Sequence, residues 1–198
     1  SLIFMEEARR EHLHRFERLY VQLLPVNRGI NAALNQAISH VKGTVTVIFD
    51  ADDKLDKNHL SKLIKSLIGQ HQLDPYVTFS YCDCWLIDEA SSTIQQGLSK
   101  PFDAELIEKE SFLPRPSPIF TSVLRSFFPL PEHSPEDPKH ELWKRICRSG
   151  NKGAYIHEPL FLYRAHGKNA SGIGKKIMQA QKQGLTDKPI FLSEYWPL

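Results

Sequence analysis

The sequence predicts an α/β domain, with a mostly parallel sheet flanked by helices in a single folding unit. Strand patterns and helix patterns alternate through the first half of the chain, which is typical of parallel α/β sheets. Residues 44–49 form a nearly continuous β-branched run, as expected for a strand buried on both faces. The 198 residues suit one domain, and their composition, 41% hydrophobic and 24% charged, is that of a globular protein.

The charge balance excludes several classes of protein. Lys plus Arg is 25 and Asp plus Glu is 23, giving a formal net charge of +2. This argues against a dedicated nucleic-acid or polybasic membrane surface, and the composition excludes collagen-like, disordered and disulfide-rich chains. The three cysteines cannot all pair with one another. We therefore expect a reducing, cytoplasmic compartment, and no apolar run approaches the ~18 residues of a membrane span.

The first half divides into predicted strands and helices. Residues 2–5 are predicted to be a strand that ends at an acidic pair, and residues 13–20 carry a helical stripe. Apolar residues from Ile30 to Val41 follow the i, i+3, i+4 spacing of an amphipathic helix that ends before Gly43. The β-branched run follows, and residues 60–68 form a second amphipathic helix, capped by Asp56 or Asn58. Residues 76–81 and 85–87 are further strand candidates.

The second half has a different character. Seven of the 13 prolines fall between positions 114 and 138, so regular structure there must be short. We predict a strand over 119–124, a helix over 139–148, a strand over 159–163 and a polar tail.

The sequence Asp50-Ala51-Asp52-Asp53 comes directly after the predicted buried strand. Alternate carboxylates leaving a strand point to one side and can share a hard divalent cation. Mg²⁺ or Mn²⁺ held there can bridge diphosphate oxygens and neutralise a leaving phosphate. The alternative interpretation is turn and helix-capping chemistry, because aspartate favours both.

Two other acidic-loop motifs were compared with this segment. An EF-hand fails, because its third ligand, glycine and twelfth position would be Lys54, Leu55 and Ser61. The nucleophile loop of haloacid-dehalogenase-like phosphatases also resembles a strand-end Asp-x-Asp. That family expects Thr or Val at the position of Lys54, so the phosphatase is retained only as a weaker alternative.

Three separated motifs resemble the large inverting glycosyltransferase family 2, which has the GT-A fold. The first joins Asn27-Arg28-Gly29 and Ala33-Leu34-Asn35 to Gly43 and the acidic motif. The second is Glu136-Asp137 followed by Glu141-Leu142-Trp143-Lys144-Arg145. The third is Pro159-Leu160-Phe161-Leu162-Tyr163-Arg164-Ala165-His166. Their order agrees with the family over most of the chain.

The resemblance implies specific roles. Asp52 would bind Mn²⁺ or Mg²⁺ that carries the diphosphate of a nucleotide-sugar, with Asp50 and His166 completing the metal site. Asp137 would be the general base that takes the acceptor proton. Because Pro138 and two further residues delay the helix relative to the family, Glu136 and Glu141 remain alternative bases.

The resemblance also implies a set of nucleotide-sugar contacts. They are Glu6, Glu7, Asn27, Arg28, Gly29, Asn35, Asp50, Asp53 and Arg164. The family often has Arg at the position of Leu34, and Arg28 is the residue that can substitute for it. Glu6 and Glu7 stand where the family commonly has Asp-Asp at the end of a strand.

The family begins with a strand and a Pro-x-Tyr-Asn-type turn that these 198 residues do not contain. We therefore expect the chain to correspond to a single domain, residues 1–198, without its first strand and helix. Residues 1–90 would form the donor-nucleotide half, 91–175 the acceptor half and 176–198 a tail.

The leading hypothesis is transfer of a sugar, with inversion, from a nucleotide-sugar, a UDP-sugar by preference, to a hydroxyl of a glycan or lipid-linked acceptor. Bacterial surface-polysaccharide synthesis is the common setting of the family. A non-catalytic sugar-binding or partner-binding fragment is the alternative. No nucleic-acid partner is expected, whereas peripheral membrane association and oligomerisation are left open.

Overall fold

The computed structural model describes residues 2–132, 138–167, 169 and 172–194. The helices are α1 Leu2–His12, α2 Ile30–His40, α3 His59–Leu73, α4 Ala104–Lys109, α5 Thr121–Arg125, α6 Pro138–Arg148 and α7 Ile173–Lys182. The strands are β1 Val45–Thr46, β2 Lys54–Leu55, β3 Val77–Ile87, β4 Thr93–Leu98, β5 Ile119–Phe120, β6 Lys152–Arg164 and β7 Ile190–Phe191. Short 3₁₀ turns occupy Leu13–Arg15 and Leu192–Glu194.

One sheet contains all seven strands, and its centre is the parallel pair of β3 and β6. On the other edge of β3, β5 pairs near its start and β4 near its end, both antiparallel. β1 continues the sheet from β5, β7 continues it from β4, and β2 pairs with β6. The long central pair is therefore parallel, whereas four of the five other strand pairings are antiparallel.

The core lies on both faces of β3, because alternate side chains point to opposite faces of a strand. Phe79 and Tyr81 pack with residues of α2, α4 and α6. Cys82 and Cys84 pack on the other face with residues of α3 and α7. The three cysteines, the third being Cys147, are free and buried.

The prediction of a strand over residues 2–5 is wrong, because these residues begin the helix α1. Ile3 and Phe4 are 73% and 76% exposed, and no strand of the sheet lies beside them. An unpaired strand leaves its backbone N–H and C=O groups without partners, whereas a helix satisfies most of its own. The predicted helical stripe over 13–20 is also wrong beyond one 3₁₀ turn.

The observed bounds of several other elements differ from the predicted ones. Of residues 44–49 only Val45 and Thr46 form a strand, because they pair with β5 alone. The predicted strand over 119–124 stops at Phe120 and continues as α5. The two short strands predicted in 76–87 form one strand, β3, and β6 begins earlier than predicted. Part of the predicted tail is α7.

The three amphipathic helices predicted near 30–41, 60–68 and 139–148 are confirmed as α2, α3 and α6. In α3 the preceding Asn58 makes no side-chain capping bond, while Asp56 Oδ1 accepts the backbone N–H of Asn58 at 2.8 Å. Within the described ranges, no helix has the length and apolar character needed to cross a bilayer.

Candidate active site

The acidic motif forms a tight turn between β1 and β2. The Asp53 backbone N–H donates to the Asp50 carbonyl at 3.3 Å, which closes the turn. β2 then pairs with the end of β6, with Lys54 opposite Leu162. This pairing brings the acidic turn beside Arg164 and His166, so the first and third sequence motifs meet in space.

His166 binds Asp52 directly. The distance from His166 Nε2 to Asp52 Oδ2 is 2.9 Å, and the two side chains are 19% and 45% exposed. The backbone N–H of His166 donates to Asn169 Oδ1 at 2.7 Å, which holds the position after β6. Two of the three predicted metal ligands are therefore in contact.

Arg164 anchors the acidic turn to the rest of the protein. Its Nε donates to the Asp52 carbonyl at 2.7 Å, and its Nη1 donates to the carbonyls of Asp88 and Glu89 at 2.8 and 2.9 Å. The same Nη1 lies 3.1 Å from Ser91 Oγ. The guanidinium fork therefore joins the turn after β1 to the turn after β3.

Asp53 is the buried carboxylate of the motif, at 9% exposure. Its Oδ1 accepts the backbone N–H of Arg164 at 2.8 Å. Burial raises the pKa of Asp53 to about 7, and the neighbouring carboxylates of Asp52 and Asp50 act in the same direction against the Arg164 hydrogen bond. Asp53 therefore faces the protein interior and positions the turn.

Asp50 pairs with Arg115, a residue that the sequence analysis missed. Arg115 Nε lies 3.2 Å from Asp50 Oδ2, and the Arg115 side chain is only 14% exposed. Its one local signal is that it is a cation between Pro114 and Pro116, at the start of the proline-rich stretch. Sequence could not predict the pairing, because the two residues belong to distant segments.

The geometry permits two protein ligands for a divalent cation. In the described part of the chain, no group of three or more His, Cys, Asp or Glu side chains is arranged to hold a metal. The carboxylate of Asp52 and the imidazole of His166 are adjacent, whereas Asp50 is engaged by Arg115. Two protein ligands fit Mg²⁺ or Mn²⁺, which commonly complete their shells with phosphate oxygens and water.

The predicted nucleotide contacts on α2 bind a different segment. Both carboxylate oxygens of Glu132 accept from Arg28 Nη2, at 2.6 and 2.7 Å. Asn35 Nδ2 donates to the Leu130 carbonyl at 2.8 Å, and Asn35 Oδ1 accepts the Leu130 N–H at 2.6 Å. Residues 130–132 are therefore fastened to one face of α2.

Asn27 and Gly29 shape the start of α2. Asn27 Oδ1 accepts the Gly29 N–H at 3.0 Å, and Gly29 has φ +86°, a left-handed conformation that favours glycine. Both residues therefore contribute to the backbone geometry at the start of α2.

The remaining predicted site residues are dispersed. Glu6 pairs with Arg9 at 2.9 Å within α1, and Glu7 is exposed on the same helix, so neither ends a strand. Glu136 and Asp137 lie outside the described residues. Glu141 is in the first turn of α6, 3.3 Å from Lys144 Nζ.

A comparison with protein families shows which family this chain belongs to. The family model described as Glycosyl transferase family 2 matches residues 5–114, more than half of the chain. The chain belongs to glycosyl transferase family 2. The predicted resemblance to this family is thereby confirmed, and the matched residues contain the first of the three motifs. Nothing in this match favours a haloacid-dehalogenase-like phosphatase.

A solved structure agrees with the fold. The crystal structure of S. aureus TarS 1-349 is similar with a TM-score of 0.61 and 14% identity, over 95% of this chain and 53% of that chain. The predicted fold class, α/β of the GT-A type, is confirmed. This chain spans about half the length of TarS 1-349. A comparison with curated proteins gives no match.

Proposed function

We propose that this chain transfers a sugar from a nucleotide-sugar to a hydroxyl group of a glycan or lipid-linked acceptor, with inversion and with a divalent cation. The observation that carries the proposal is the contact between Asp52 and His166 at the acidic turn. Family membership supports the reaction class, and the contact between the two side chains supports the proposal of a cation beside them. A UDP-sugar is the proposed donor.

Asp52 and His166 are the proposed ligands of Mn²⁺ or Mg²⁺. When bound, the cation would neutralise the charge that develops on the leaving diphosphate. His166 would offer the lone pair of Nε2, the atom that now faces the Asp52 carboxylate. Arg164 would keep Asp52 in place through the hydrogen bond to its carbonyl.

Asp137 is the proposed general base, with Glu136 as the neighbouring alternative. A carboxylate within hydrogen-bond reach of the acceptor hydroxyl can take its proton as the sugar is transferred. A base on the face opposite the leaving nucleotide permits a single displacement with inversion. Glu141 is less suited to this role, because Lys144 pairs with it.

The proposal is tested by replacing Asp52 with Ala and measuring UDP binding calorimetrically in the presence of Mn²⁺. Loss of a charged ligand is expected to weaken nucleotide binding about tenfold or more, since charge-assisted contacts contribute ~1.5–3 kcal/mol. Asp187→Ala is the matched control, because Asp187 is an exposed aspartate in the segment after α7.

Transfer from UDP-sugars to glycan acceptors should fall with binding in Asp52→Ala and in His166→Ala. Normal turnover by Asp52→Ala would refute the metal assignment. A folded wild-type chain that binds neither UDP nor Mn²⁺ would favour the second candidate, a non-catalytic binding module. That candidate has one supporting observation: Arg28, Asn35 and Arg164 all bind protein groups in this structure.

A further inference from the structure

A cavity of about 260 Å³ lies between the start of α2, the segment 129–131 and the first half of α6. Three polar residues line it, Asn31 from α2 and Glu141 and Arg145 from α6. None of the residues of the acidic turn lines this cavity, and Glu141, the alternative base, is the one lining residue discussed above. Its volume is slightly below the ~300–1,000 Å³ of common small-molecule sites, which suits a ligand of one ring.

Asn31 presents an unsatisfied acceptor to this cavity. The residue is 4% exposed, and its Nδ2 donates to the Pro131 carbonyl at 2.6 Å. A carbonyl can only accept, so this bond fixes which end of the amide faces Pro131. Asn31 Oδ1 is left buried, with no hydrogen-bond partner in the part of the chain that the structure describes. Buried polar atoms of this kind are normally hydrogen-bonded, so we expect Asn31 Oδ1 to accept a hydrogen bond from a bound ligand.

Arg145 supplies the complementary group. Its half-buried side chain makes no hydrogen bond or ion pair with any described residue, although it lines the cavity. Glu141 lies one turn earlier on the same face of α6, where its carboxylate is 3.3 Å from Lys144 Nζ. The cavity therefore offers five guanidinium N–H donors beside carboxylate and amide oxygen acceptors.

The rest of the wall is apolar. It consists of Pro129, Leu130, Pro131 and Leu142. Asn35 and Arg28 hold this wall against α2 through their bonds to Leu130 and Glu132, so the cavity is built into the fold. An apolar wall with a few converging polar groups is the usual design of a small-molecule site.

We infer that this cavity binds a neutral, hydroxyl-bearing ring, and specifically a non-reacting sugar ring of the acceptor glycan. Hydroxyl groups both donate and accept, so one ring can satisfy Asn31 Oδ1, Glu141 and Arg145 together. A phosphate would satisfy Arg145 but would meet two oxygen acceptors, and a purely apolar ligand would leave all three groups unpaired. The inference rests on the proposed function for its choice of the acceptor.

The position of the cavity agrees with this role. Leu142 also lines a smaller cavity that is bounded by Arg115 and Lys139. Arg115 is the partner of Asp50 in the acidic turn. The smaller cavity therefore shares Leu142 with the larger one and Arg115 with the surroundings of the acidic turn.

The test uses the full chain and ligand titrations followed by NMR. The probes are the methyl glycosides of glucose and of N-acetylglucosamine, with UMP and inorganic phosphate as comparison ligands. Arg145→Gln is expected to weaken glycoside binding about tenfold, and Glu141→Gln several-fold, because each removes a charged hydrogen-bonding partner. Arg148→Gln is the matched control on α6, since Arg148 is exposed and pairs with Glu108 at 2.6 Å.

In the wild type, the side-chain amide signals of Asn31 should shift on titration with a glycoside, and Arg148→Gln should bind like the wild type. The inference is overturned if neither glycoside binds to the folded wild type. It is also overturned if Arg145→Gln and Arg148→Gln have equal affinities, or if phosphate binds in place of the glycosides. UDP and Mn²⁺ binding by the Asp52 variant is measured separately, so failure of the proposed function is distinguishable from failure of this site.

Discussion

His59, the first residue of α3, is fully buried. Burial lowers the pKa of His59 to about 4, because the desolvation of the imidazolium outweighs a hydrogen bond to the Pro116 backbone and the favourable field of Asp56. The neutral ring is therefore the form that the native structure holds. Protonation of this ring in the native state would place an uncompensated charge in the interior.

The pH dependence of stability follows from this shift. An unfolded histidine titrates near pH 6.5, so the unfolded state binds the additional proton between about pH 6.5 and 4. The contribution of His59 to the free energy of unfolding should thus be fully present above pH 6.5. The free energy of unfolding should fall by roughly 2–3 kcal/mol from this cause as the pH drops to 4. His59→Leu should remove that part of the slope in urea unfolding measured across this range.

His14→Gln is the control for this prediction, because His14 is exposed. Its unfolding curves should follow the wild type at every pH. Equal pH slopes in His59→Leu and the wild type would contradict the burial of a neutral His59.

At the scale of elements, the central pair β3 and β6 depends on a glycine. A Cβ built on Gly153 of β6 would contact Phe79 Cε2, and would lie 2.7 Å from Phe79 Cζ and 2.8 Å from Tyr81 Cε1. Both rings are fully buried in the core of the face that carries α6. Glycine at this position lets the two strands pack closely around aromatic side chains.

Gly153→Ala is therefore expected to destabilise the protein by about 1–3 kcal/mol, the usual cost of overpacking a core. Gly69→Ala is the matched control, because a Cβ at Gly69 would meet nothing within 4 Å on the exposed side of α3. That substitution should stabilise by ~0.5–1 kcal/mol, since alanine favours a helix over glycine. Urea unfolding of both variants checks the contrast, and a neutral Gly153→Ala would refute the close packing.

At the scale of the whole molecule, the burial of the elements is very uneven. Every residue of β3 except Trp85 is buried, while α1 carries apolar residues that are largely exposed. Local opening costs least where few buried contacts would be lost.

Amide hydrogen exchange should therefore be slowest in β3 and β6 and fastest in α1 of the folded chain. The measurement is exchange followed by mass spectrometry on peptides that resolve residues 2–12, 59–73 and 77–87. α3 is the internal comparison, because it packs on the sheet through Leu63 and Leu67. Exchange in α1 as slow as in α3 would show that another surface covers α1.

Much of the fold could be predicted because its signals are local. α2, α3 and α6 follow from the spacing of apolar residues, which a helix repeats within one segment. The sequence predicts two short strands where the structure has one, β3. Between the two predicted strands lies Asp83, which is buried and accepts hydrogen bonds from the Tyr155 hydroxyl at 2.6 Å and the Ser99 N–H at 2.7 Å. Those partners come from distant segments, so local sequence does not indicate them.

The sequence alone determined the family, the order of its motifs, the acidic turn after a strand and the three amphipathic helices. Each of these depends on residues close together in the chain. The tertiary structure decided that Asp52 meets His166, that Asp50 meets Arg115, and that Arg28 and Asn35 hold residues 130–132. It also decided the helical state of residues 2–5. These outcomes depend on which segments become neighbours, because a side chain or strand is satisfied only by the partner that packing brings to it.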